Sequence, residues 1–157
     1  MASVLRFLFL AGLCVWIGAI VFFSFVIAPA LFQTLPPETA GRVLAVVFPR
    51  YYRLGLMAGA IAVPTAVALG LLSQRRRRWL GMAGVMVLMA AMAGYAAAVI
   101  VPRTDALRPH LAHGPAPDEV AQAEFSRLHQ QAVALNAVTL LCGIGVLGVA
   151  AATPRDA

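Results

Sequence analysis

The stretch FLFLAGLCVWIGAIVFFSFVIAPALF, Phe7 to Phe32, contains no charged side chain. A helix needs about 20 consecutive apolar residues to cross the hydrocarbon core of a bilayer, and this run exceeds that. It reads as a first membrane span. Arg6 in front of it, with Ala28-Pro29-Ala30 behind, imitates a secretory signal peptide. The apolar core of a signal is about 7–15 residues, so the run is expected to stay as an uncleaved signal anchor.

Three further apolar runs follow, giving spans at about 7–32, 54–72, 79–101 and 129–152. Composition agrees, because 62% of the 157 residues are hydrophobic and 11% charged, against about 45–50% and about 25% in soluble globular proteins. One water-soluble core could not hide that much apolar surface. A disordered chain is excluded by hydrophobicity, and a disulfide scaffold by the presence of two cysteines. The expectation is an all-α polytopic membrane protein, an antiparallel four-helix transmembrane bundle forming a single domain over 1–157, with the lipid bilayer as its main partner.

Between spans one and two, Pro36-Pro37-Glu38 suits a helix start. A short interfacial helix is expected over about 38–48, with Ala40, Val43, Leu44 and Val47 on one side and Pro49 separating it from span two. The outer loops are then about 33–52 and 102–127, the second irregular as far as Pro117 because of its four prolines, and the inner loop about 73–78. Asp118-Glu119 reads as a helix start, so the fourth helix should begin outside the lipid.

The twelve basic residues are all arginine and face six acids, for a net charge of +6. Nucleic acid is not an expected partner, because the densest group, Arg75 to Arg78, lies between two apolar runs without interleaved aromatics. It reads as a topogenic loop. That quartet and Arg6 flank spans directly and have no acids beside them, so both termini are expected in the cytoplasm, in a bacterial inner membrane.

Gly143-x-Gly145-x-x-Gly148 matches the dinucleotide fingerprint by letter, but it lies inside an apolar span rather than between a strand and a helix. These glycines, and Gly55 and Gly59 four residues apart, read as small residues for close helix packing, within the chain or in a homo-oligomer. The methionines of span three, Met82, Met86, Met89 and Met92, read as core filler, and Cys14 and Cys142 as packing thiols. His110-x-x-His113 has ligand-like spacing in a proline-rich segment and is a weak metal candidate. No cofactor is expected.

The strongest polar pattern is in the fourth helix, where Phe125, His129, Ala132 and Asn136 share one helical face. A polar pair aimed into a bundle is glue between helices or the lining of a site. Arg50, Tyr51, Tyr52 and Arg53 lie at the same membrane level, so an outer polar pocket of Arg50, Tyr51, Tyr52, Arg53, His129 and Asn136 is expected, with one of the arginines reaching His129.

The run Trp16-x-Gly18, then Phe22-Phe23-x-Phe25-x-x-Ala28-Pro29-x-Leu31-Phe32, Ala40-Gly41, Phe48-Pro49-x-Tyr51-Tyr52 and Phe125-x-x-Leu128-His129 followed by Asn136, resembles the transmembrane protein 205-like family across nearly the whole chain. The resemblance implies a small four-span membrane protein and supplies no catalytic residue, since that family has no agreed activity. This chain has Ala132 where the family often has serine. Two functions are compatible with these residues. One is non-enzymatic handling or passage of a small polar or ionic solute, or scaffolding, through the outer pocket. The other is membrane redox or metal and haem binding through His129, with or without His110 and His113.

Overall fold

The computed structural model describes residues 1–112 and 119–154. Four long helices account for nearly all of them, and no strand occurs among the described residues. Helix α1 is Ala2–Thr34 and α2 is Pro37–Leu72. Helix α3 covers residues 76–112, and α4 is Glu119–Ala151. Each is long and apolar enough to cross a bilayer. The 36 residues of α2 span about 54 Å at 1.5 Å per residue, well beyond the roughly 30 Å of hydrocarbon. The bundle therefore has more helix than the membrane requires.

Each helix packs on the next in sequence and α4 closes on α1, while the diagonal pairs keep their backbones apart. The tightest seam is α1 against α2. Phe9, Leu13, Trp16 and Ile20 form one buried stripe on α1, following the i, i+4, i+7, i+11 helical spacing. Helix α2 answers with small residues, Gly55, Ala58, Gly59, Ala62 and Ala66, all buried. The Trp16 indole lies across Gly55 and Gly59, where added Cβ atoms would come within 2.7 Å of it. Met82, Met86 and Met89 fill the α3 side of the core.

Around this core, large apolar side chains point outward: Phe7, Phe25 and Leu141 are each 68% exposed. Such a surface would be costly in water and is the face that contacts acyl chains. At the end of the bundle that holds the start of α1 and the end of α4, here the terminal end, Arg6 donates to the carbonyls of Ala150 at 2.9 Å and Thr153 at 2.7 Å. A cation thus satisfies carbonyls that a helix C-terminus leaves over. Its guanidinium also lies 5.9 Å from the Trp79 ring centroid.

Two expectations need correction. The helix over 38–48 exists but is not separate, since Pro37–Leu72 is one helix with Pro49 and Pro64 inside it. The segment after Pro102 is not irregular, because Val101–Ala112 continues α3. Proline in a helix removes one hydrogen bond and crowds the carbonyl four residues back, and here the helices absorb this locally. Alpha-helix gives way to π-helix at Phe23–Ile27 and at Ala96–Ile100, each ending two residues before a proline, Pro29 or Pro102. The wider turn makes room for the ring without ending the helix. Of the expected packing glycines, Gly143 packs within the chain, with a Cβ there 2.9 Å from Ile17, whereas Gly145 and Gly148 have nothing within 4 Å. They lie off the buried face formed by Gly143, Val146 and Ala150.

A contrast between two glycines tests this packing. Gly59→Ala should lower the midpoint of thermal unfolding in detergent by an amount equivalent to about 1–3 kcal/mol, as overpacking does. Gly145→Ala should leave it unchanged. Equal effects would mean that the α1–α2 seam is not as tight as described.

Candidate functional site

A group of polar and aromatic side chains from three helices gathers toward the end away from the termini, here the distal end. At 100° per residue, Phe48, Tyr51 and Tyr52 fall on one side of α2, and Arg50 and Arg53 on the other. The aromatic side turns inward. Phe23 of α1 stacks on Tyr51 with centroids 4.7 Å apart and meets Phe48 at 5.2 Å, while Tyr51 and Tyr52 meet edge to face at 5.0 Å. This aromatic wall holds the Tyr51 hydroxyl in place.

From that wall Tyr51 Oη donates to Asn136 Oδ1 at 2.5 Å, and Asn136 Nδ2 donates to Ser24 Oγ at 2.9 Å. Three helices are joined by two hydrogen bonds, and the Tyr51–Asn136 bond crosses the diagonal between α2 and α4, whose backbones do not touch. Ser24 lies within the π turn Phe23–Ile27. Beneath the knot, a void of about 10 Å³ lined by Trp16, Ile20, Met92 and Thr139 is at the lower limit for one water.

Beyond the knot lies a second feature, a crevice of about 40 Å³ between α2, α3 and α4. Phe48, Tyr52, Ile100 and Ala132 form its apolar part, and Thr104, Asp105, Arg108 and His129 its polar part. Arg108 Nε donates to Asp105 Oδ1 at 2.8 Å, a pair one helical turn apart. An added Cβ at Gly41 would come within 3.0 Å of an Arg108 terminal nitrogen, so the guanidinium lies close over α2 where no side chain intervenes. His129 is exposed, its ring parallel to that of Phe125 at 6.5 Å. The arrangement offers a fixed cation, a carboxylate, a hydroxyl and an imidazole above an aromatic floor.

The structure thus divides the six expected pocket residues. Tyr51 and Asn136 share a hydrogen bond, and Tyr52 and His129 line the crevice. Arg50 and Arg53 are exposed on the other face of α2, and Arg50 donates to its own helix at the Val46 carbonyl, 2.6 Å away, beside Pro49. The arginine beside His129 is Arg108 instead. Arg108 was hidden by reading Pro102 as a helix end. With the helix continued, Thr104, Asp105 and Arg108 come to one side of α3, and that continuity was the missing signal. Ser24 was also missed, although it is the one polar residue between Trp16 and Pro29.

His113 lies outside the described residues; the backbone of His110 is helical. Among the described residues no three histidine, cysteine or acidic side chains converge as metal ligands. Cys14 and Cys142 are free thiols.

Four apolar spanning helices around a buried aromatic and polar core define an integral, multi-pass membrane protein. A family model described as a domain of unknown function (DUF4149) matches residues 11–113, more than half of the chain, and the protein belongs to that family. The matched region holds Ser24, Tyr51, Asp105 and Arg108; His129 and Asn136 lie beyond it. No curated protein and no solved structure matches the chain.

The diagonal bond is open to a double-mutant cycle. Interhelical hydrogen bonds in membranes are worth about 0.6 kcal/mol on average and up to about 1.7. Tyr51→Phe and Asn136→Leu should each destabilise the protein in detergent by about that range, and the double variant by clearly less than their sum. Strict additivity would mean that the two side chains do not interact.

Proposed function

We propose that this is a non-enzymatic membrane protein that holds a small polar or ionic solute in the crevice at the distal end of the bundle. The observation that carries this reading is the meeting of Arg108, Asp105, Thr104 and His129 over an apolar floor. A concave site with an apolar lining and a few convergent polar groups is the usual form of a small-molecule site. The charged ends of Arg108 and Asp105 offer complementary hydrogen bonding to an anion or a zwitterion. The Tyr51–Asn136–Ser24 knot lies below the crevice, so passage across the membrane would require that knot to open. Holding is therefore favoured over conduction in this conformation.

In this reading the distal end faces outward and both termini face the cytoplasm, across a bacterial inner membrane. The arginine quartet in the shortest connection supports that direction. The resemblance to the transmembrane protein 205-like family points to the same class. The rival reading is a redox or metal protein using His129 with His110 or His113, two histidines whose side chains lie outside the described ones. A scaffold role remains a further reading of the same bundle, with small-residue faces such as Gly145 and Gly148 available to a second copy.

Calorimetric titration of the purified protein with acetate, inorganic phosphate and glycine tests the site. At least one should bind, with affinity falling tenfold or more in Arg108→Gln and in His129→Ala and unchanged in Arg53→Gln. Tenfold corresponds to about 1.4 kcal/mol. No binding, or equal binding by all variants, would refute the reading. Stoichiometric haem or copper in the visible spectrum and metal analysis would favour the rival. Orientation has its own check: in a background lacking Cys14 and Cys142, a cysteine placed at Gln74 should react with impermeant label from the cytoplasmic side and not from the periplasmic side.

A further inference from the structure

Asp105 and Arg108 bring opposite charges into contact in the lining of the distal crevice, and that contact uses little of either group. Arg108 Nε donates to Asp105 Oδ1 at 2.8 Å, which occupies one of the several N–H groups of the guanidinium and one of the two oxygens of the carboxylate. Both side chains stay within reach of a solute, Arg108 being 26% and Asp105 41% exposed.

Two hydroxyls of the same lining are also uncommitted. Thr34, Thr65, Thr139 and Thr153 each donate to a backbone carbonyl three or four residues back, whereas Thr104 makes no side-chain hydrogen bond among the described residues. Tyr52 is 7% exposed, and its hydroxyl has no hydrogen-bond partner among them either. No fully enclosed polar side-chain atom of the described residues lacks a partner, so the Tyr52 hydroxyl opens onto space, and Tyr52 lines both the crevice and the void beneath the knot. A buried tyrosine hydroxyl usually finds a partner. Here that partner would come from what fills the space beside it.

The crevice is also small. Its volume of about 40 Å³ is roughly three to four times the 10–15 Å³ that one water requires, and Phe48, Ile100 and Ala132 line it with apolar surface. The complement of this lining is a small molecule with a carboxylate and an ammonium on one carbon and a short apolar substituent. Free guanidinium N–H groups pair with a carboxylate, while the second Asp105 oxygen and the Thr104 hydroxyl accept from an ammonium. A ligand with only a negative charge would meet Asp105 as a like charge, and one with only a positive charge would meet Arg108. Such contacts are how a site rejects the wrong ligand.

We propose that the crevice holds a zwitterionic α-amino acid with a small apolar side chain, its carboxylate on Arg108 and its ammonium on Asp105. The proposal rests on the reading of the crevice as a solute site and narrows it. An ammonium beside an acidic group also occurs in the headgroup of phosphatidylethanolamine, so the experiment includes that source.

The full chain in a neutral detergent is titrated by calorimetry with L-alanine, with propionate, which is alanine without its ammonium, and with ethylamine, which is alanine without its carboxylate. L-alanine should bind at least tenfold more tightly than either, a comparison that needs no variant to fold. Asp105→Asn should weaken L-alanine at least tenfold and leave propionate undiminished, Arg108→Gln should weaken both, and Arg53→Gln should change neither. Propionate binding as tightly as L-alanine, with loss in Arg108→Gln, would keep the crevice as an anion site and overturn the amino-acid assignment alone. Undiminished binding of L-alanine by Asp105→Asn would also overturn that assignment. Phosphatidylethanolamine binding more tightly than L-alanine would give the crevice to a lipid headgroup and overturn it as well. No binding of any of these, or of glycine, acetate and inorganic phosphate, would overturn both the assignment and the solute site beneath it.

Discussion

In hydrocarbon every backbone amide must find its partner within the protein, and the architecture of this chain follows from meeting that demand at its prolines. Pro29 and Pro102 would each break a regular helix. A π turn ahead of each lets α1 and α3 continue. The carbonyl that Pro49 leaves without an amide donor is that of Ala45, and the Arg50 side chain donates to the next one, Val46. At Pro64 the corresponding carbonyl is that of Ala60, and the Thr65 hydroxyl donates to its neighbours Ile61 and Ala62, at 2.9 and 2.8 Å. Because the helices persist, their distal ends form packed walls, and the crevice lies between those walls.

The spans were legible because hydropathy over 20 residues is a strong signal that neighbouring structure seldom reverses. The distal segments were not, and the reason is local. Proline weighs as a helix breaker in a sequence, while the compensating π turn depends on packing that the sequence does not display. One misplaced boundary then had wider effects. With α2 interrupted at Pro49, Arg50 and Arg53 had no fixed direction relative to Tyr51 and Tyr52; in a continuous helix they lie opposite the tyrosines. With α3 ended at Pro102, Arg108 belonged to a loop and could not be placed beside His129. Gly59 and Gly145 make the same point about packing, since both sit in small-residue patterns but only Gly59 meets a neighbour across a seam.

The two ends of the bundle have different chemistry. At the distal end cations and acids are interleaved and paired, as in Arg108 with Asp105, above an aromatic floor. At the terminal end Arg6 binds the carbonyls of Ala150 and Thr153, and Arg76, Arg77 and Arg78 are exposed. Between them the Tyr51–Asn136–Ser24 knot ties three helices and leaves a void that is scarcely large enough for one water. The chain is therefore built as two separated polar surfaces around a closed apolar middle.

The knot turns on one side-chain amide, and the Asn136 carboxamide can be observed directly by nuclear magnetic resonance of the nitrogen-labelled protein in micelles. A knot of the kind described predicts two separated side-chain amide proton signals that exchange slowly with solvent and shift in both Tyr51→Phe and Ser24→Ala. Overlapped signals that exchange freely and ignore both substitutions would contradict it.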